Sequence, residues 1–206
     1  DGFLAYEFLA GRCMGAGDIS RAVLERIADY LAFRSFHFSK CSADSSELRS
    51  MAEFNVMQEF GVQLSLPALE SQRCPVLADG RMQPHEWIAG ESIIKTDSID
   101  HGDNHFFPGP CDIAWDVAGT VIEWSLDHDA IRFLLERLKK LSGTDVSNQL
   151  TAYMMAYAVF RLGFCKMAIS TELGTSEAVR LHHAYSRYRK VAEKLLPTID
   201  EGTKAA

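Results

Sequence analysis

Residues 77–88 read LADGRMQPHEWI, and residues 93–118 read IIKTDSIDHGDNHFFPGPCDIAWDVA. Around these runs Pro67, Pro75, Pro84, Gly80, Gly90 and Gly102 punctuate two short apolar stretches, 75–77 and 92–94, so the centre of the chain, 61–107, reads as loop carrying short strands. On the N-terminal side Ala22, Val23, Ile27, Tyr30, Leu31 and Phe33 fall near helical spacing and predict a helix over 19–38, with Asp18 as its cap. Asp44 or Ser45 is placed to cap a second helix ending near residue 60, with Glu47 in its first turn. On the C-terminal side helices are expected over 112–125, 127–141, 145–169 and 176–196, each opening near Asp, Ser or Thr. The fold class is therefore mainly α, an α+β arrangement whose loop-and-strand centre is where chemistry is expected. Residues 2–9, GFLAYEFL, read as a strand already under way behind an N-terminal Asp1, which suggests a piece of a longer protein. With no repeat, low-complexity run or linker, residues 1–206 read as one unit with a frayed end at 202–206.

With 47% hydrophobic and 24% charged residues, the chain holds enough apolar material for a sizeable core. A net charge of -7 leaves no basic excess for a phosphate backbone, so nucleic acid is not an expected partner. Arg180, Arg187, Arg189 and Lys190, interleaved with His182, His183, Tyr185 and Tyr188, read as a solvated basic face. No run approaches the ~18 consecutive apolar residues of a bilayer span, so no membrane partner is expected. Five scattered cysteines without a C-x-x-C pair indicate neither a disulfide framework nor a zinc knuckle, and a reducing cytoplasm fits them.

The two quoted runs carry a resemblance. In 77–88, Gly80 and Pro84 keep the spacing of the glycine and proline in a loop of the form H-G-D-x-H-P-x-N. The close of the second run, Asp112 to Ala118, looks like D-P-x-x-D-L-A. Residues 4–12 (LAYEFLAGR) are similar to a hinge segment, and 157–168 (YAVFRLGFCKMA) to a late core helix. In this order the pieces resemble the helical C-terminal lobe of protein-kinase-like small-molecule phosphotransferases, the aminoglycoside phosphotransferase and choline kinase type. The resemblance implies transfer of phosphate from ATP, with Mg2+, to the hydroxyl of a small-molecule substrate, in partnership with an N-lobe of the same chain that 1–206 lacks. It also implies that Asp116 ties the catalytic loop by hydrogen bonds.

The departures fall on the chemistry. In gapless register the family's catalytic aspartate becomes Arg81, its metal-binding asparagine becomes Glu86, and the histidine two places before the aspartate becomes Asp79. A guanidinium cannot accept a proton, so Arg81 cannot be the base. Asp79 is the nearest carboxylate to the missing base, although Asp79-Gly80 is also a strong turn dipeptide. Asp97, closing IIKTD, matches the metal-binding aspartate, and Glu86 and Asp100 are further oxygen donors for Mg2+. Alternatively Asp97 only ends a strand. Asp97, Asp100, His101, Asp103 and His105 could also bind a metal by themselves, which would make a divalent-metal hydrolase. Asp112 and Asp116, at i and i+4, are assigned structural support, Asp112 as a cap. The segment 106–110, FFPGP, reads as buried loop packing, with a lid or partner surface as the alternative. Three readings of function follow: a phosphotransferase lobe, a pseudokinase-like module that keeps a ligand cleft without turnover, and, third, the divalent-metal hydrolase.

Overall fold

The computed structural model describes residues 8–40, 46–70, 74–96, 110–171 and 174–204, with side chains described as far as residue 199. Its elements are α1 (Arg21–His37), α2 (Ser46–Phe60), α3 (Ala114–Glu123), α4 (His128–Ser142), α5 (Leu150–Thr171) and α6 (Ser176–Lys204), with five short strands. These are β1 (Arg12–Cys13), β2 (Pro75–Val76), β3 (Trp87–Ala89), β4 (Ile93–Lys95) and β5 (Cys111–Asp112). The class is mainly α with small antiparallel sheets, β1-β3-β4 and β2-β5. The strand expected over 2–9, the caps at 44–45 and the FFPG part of 106–110 lie outside the described residues.

The helices form where apolar spacing and caps agree. In α1, Val23, Leu24, Ile27, Ala28, Leu31 and Ala32 make a buried stripe. Its cap is Ser20, whose Oγ accepts from the Val23 amide at 3.3 Å, and not Asp18. The Asp18 carboxylate is already taken by the Arg12 guanidinium, at 2.6 and 2.8 Å, and by the Gly15 amide. Asp127 caps α4 by accepting from Ala130 N, and α4 ends on Gly143 at φ +75°, the left-handed stop that glycine adopts freely. All ten residues of α3 are buried, so it runs through the core without a solvent face.

α5 packs against α2, α3 and α6, while α1 packs on α4. Among the described residues α5 alone is long and apolar enough to cross a bilayer, and half of its apolar window is buried inside the molecule. Gly119 brings α3 close to α5: a Cβ there would meet the Tyr157 ring at 2.9 Å.

The face of α6 expected to be solvated is partly an internal tether. Arg187 Nη2 donates to Glu123 Oε2 at 2.6 Å, and the buried Tyr188 hydroxyl donates to Glu123 Oε1, also at 2.6 Å. Arg189 bonds Glu59 of α2 at 3.0 Å, whereas His182 and His183 are exposed. Burial raises the cost of charging Glu123, yet Arg187 and Arg161 outweigh it and hold the carboxyl below its ordinary range. The helix also continues through Pro197, past the end expected at 196, because the missing N–H falls at an exposed position where a carbonyl can turn to water.

Candidate functional site

The loop after β2 is held from below by α3. Asp116 accepts from the Asp79 amide at 2.8 Å through Oδ2 and from the Gly80 amide at 3.0 Å through Oδ1. Gly80 turns the chain at φ +84°, and Asp79 Oδ1 accepts from Arg81 N at 3.3 Å, closing the Asp-Gly turn. Two buried indoles hold the same loop by its carbonyls, Trp115 Nε1 on Gly80 O at 3.3 Å and Trp124 Nε1 on Met82 O at 3.0 Å. From α1, Arg34 donates to Leu77 O. Pro84 then opens a 3-10 turn, Pro84–Glu86, that delivers Glu86 to the base of β3.

The Asp79 side chain is wholly buried and points its second oxygen into a cluster of polar groups. Asp79 Oδ2 accepts from the Tyr30 hydroxyl at 2.5 Å and lies 3.2 Å from the Lys95 ammonium. The same ammonium is 3.2 Å from Glu86 Oε2 and donates to Thr96 O at 2.7 Å. Glu86 Oε1 has the Arg81 guanidinium 3.9 Å away. The Lys95 side chain is 3% exposed and that of Glu86 4%, so the ion pairs stand in a medium where Coulomb attraction is poorly screened. Burial and the negative charge of Asp79 push the Tyr30 phenol well above its ordinary range, keeping it a proton donor to Asp79. Burial, followed by the neighbouring Asp79 charge, pushes Asp116 up to about 6; Arg34 and the two backbone amides oppose that rise.

The structure thus brings together Asp79, Arg81 and Glu86, with Asp116 beneath them. Asp112 sits apart at the foot of α3, where Oδ1 accepts from Ala114 N at 2.9 Å and Gln149 Nε2 at 2.8 Å, and Oδ2 from Cys74 N at 2.8 Å. It joins β2, α3 and the start of α5. Asp97, Asp100 and the run to His105 lie outside the described residues. Sequence reasoning missed Tyr30, Arg34 and Lys95. The signal for Lys95 was its place in IIKTD, at the inward alternation of a strand two residues before Asp97; Tyr30 and Arg34 stand at i and i+4 on α1.

Chemically, the cluster is poor in bases. Arg81 accepts no proton, and the Asp79 carboxylate is engaged by Tyr30, Lys95 and a backbone amide. Nor do Asp79 and Glu86 fit Mg2+, which takes oxygens at roughly 2.0–2.1 Å in octahedral array, because the ammonium already stands between their facing oxygens. Among the described residues no group of three or more His, Cys, Asp or Glu side chains is arranged to hold a metal. Beside the cluster lies a cleft of 290 Å³ between α1 and β3-β4, lined by Arg26, Tyr30, Phe33, Trp87, Ile94 and Lys95 among others. Trp87 is fully buried, and its indole N–H has no hydrogen-bond partner among the described residues.

No protein-family model matches this chain, and no curated protein matches it.

Proposed function

We propose that this chain is the helical lobe of a kinase-like protein, of the aminoglycoside phosphotransferase and choline kinase type, whose catalytic loop has become a structural element. The lobe then serves as a pseudokinase-like ligand-binding module and not as a phosphate-transferring enzyme. The observation that carries this reading is the lock on the loop. Asp116 takes the Asp79 and Gly80 amides, while the Asp79 carboxylate is turned inward onto Tyr30 and Lys95. The first contact supports kinase-like architecture, in which an aspartate at the place of Asp116 ties down the catalytic loop. The second supports loss of turnover, because a carboxylate in that place cannot reach a substrate hydroxyl.

In this reading the ligand is a small molecule, and ATP is the nucleotide to test. The cleft between α1 and β3-β4 is the candidate seat. Its aromatic walls suit a flat ring, and the exposed Arg26 and Asp29 at its edge offer one charge of each sign to polar groups on that ring. Asp97 keeps the position of a metal-binding aspartate and is the residue through which an active enzyme would have to work.

The test is phosphate transfer from γ-labelled ATP with Mg2+ to a panel containing choline and aminoglycosides, for the protein together with its N-lobe and for its Asp79→Asn and Asp97→Ala variants. No transfer above background is expected from any of them. Transfer by the wild type that falls a hundredfold or more in either variant would establish an active phosphotransferase and end this reading.

A further inference from the structure

Lys95 stands where two buried carboxylates converge: its ammonium lies 3.2 Å from Asp79 Oδ2 and 3.2 Å from Glu86 Oε2 and donates to Thr96 O at 2.7 Å. Asp79, Glu86 and the Lys95 side chain are 0%, 4% and 3% exposed, so the arrangement is interior. Two carboxylates buried side by side would repel each other and carry a heavy desolvation penalty; a cation between them offsets both. Here the chain supplies its own.

We infer that the Lys95 ammonium is a built-in counter-cation standing in for a divalent ion, so that Asp79 and Glu86 take up a metal ion only when an uncharged side chain replaces Lys95. A metal ion bonded to the same two oxygens would lie within a few ångströms of the ammonium, and like charges at that range in a poorly screened interior exclude one another. Arg81, 3.9 Å from Glu86 Oε1, adds a second cation on the outer side. The inference stands on these side chains alone and holds whether or not the lobe is kinase-like.

Its test is Mn2+ binding to the full chain without nucleotide, followed by electron paramagnetic resonance, in the wild type, Glu86→Gln, Lys95→Met and the double variant. The expected results are equal Mn2+ binding by wild type and Glu86→Gln, and a new site in folded Lys95→Met, at least tenfold tighter than any wild-type site and lost again in the double variant. The double variant separates the new site from any Mn2+ held by the acidic run 97–105, because Glu86→Gln removes only the former. A tenfold or greater weakening of wild-type Mn2+ binding by Glu86→Gln overturns the inference, as does a folded Lys95→Met chain that gains no site. Should Lys95→Met not fold, the comparison of wild type with Glu86→Gln still decides. Because nucleotide is absent, neither result depends on ATP binding.

Discussion

Asp116 is buried completely, yet its best use, accepting two backbone amides at once, needs the ionised form. Burial and Asp79 raise its pKa from 3.8 to about 6. Between those values the native state holds more protons than the unfolded chain, so this group's stabilising contribution is complete below the unfolded value and is lost as pH rises through the native one. Urea unfolding of the wild type from pH 4 to pH 7 is expected to show that decline, and Asp116→Asn to flatten it. The variant is also expected to lose about 1–3 kcal/mol at pH 7, since an amide offers one acceptor where two amides wait. A decline of equal slope in both proteins would place the titration elsewhere. At this scale the sequence was half legible. Asp112 and Asp116 stand out in DIAWD because i, i+4 spacing sets both near the start of one helix. Tyr30 and Lys95 do not stand out, because their meeting with Asp79 is made by packing across 49 and 16 positions of chain.

The helices show a different division between local and tertiary causes. The extents of α1, α2 and α4 were readable to within a residue or two at the ends that can be compared, and for α4 the cap Asp127 as well. The cap of α1 moved from Asp18 to Ser20 because an arginine six positions earlier in the chain captured the aspartate, a competition that local pattern does not display. Likewise the basic residues of α6 have the composition of a wet surface, and only the fold supplies Glu123 and Glu59 as their partners. Gly119 gives a prediction at this scale. Helix propensity alone favours Gly119→Ala by up to ~1 kcal/mol. The added Cβ would press on Tyr157 at 2.9 Å, and overpacking of a close core costs about 1–3 kcal/mol. The ring is buried on every side, so packing should win: thermal unfolding of Gly119→Ala is expected to occur several degrees below wild type. A raised midpoint would mean that α3 and α5 part more easily than their contact implies.

For the molecule as a whole, one continuous core joins the six helices of the described residues, and in the loop from Asp79 to Glu86 that core buries Asp79, Gly80, Met82 and Glu86, while His85 is exposed and Arg81, Gln83 and Pro84 are half-buried. Trp87, Trp115 and Trp124, all buried, surround it, and two of them bond its carbonyls. A catalytic loop must present its carboxylate to a substrate; this one presents Arg81 and keeps Asp79 and Glu86 for an internal ammonium. Composition and periodicity announced a mainly helical unit, and they set the expected chemistry in the central loops. They could not announce that the charges there neutralise one another, since ion pairing depends on which side chains the fold turns inward. The central claim is that this loop works without a divalent metal. Calorimetry of the full chain with ATP, in Mg2+ and in chelator, tests it most directly. The heat of ATP binding should be the same in both conditions for wild type and Glu86→Gln, whether it is large or nil. Binding that requires Mg2+ and weakens tenfold or more in Glu86→Gln would contradict the claim.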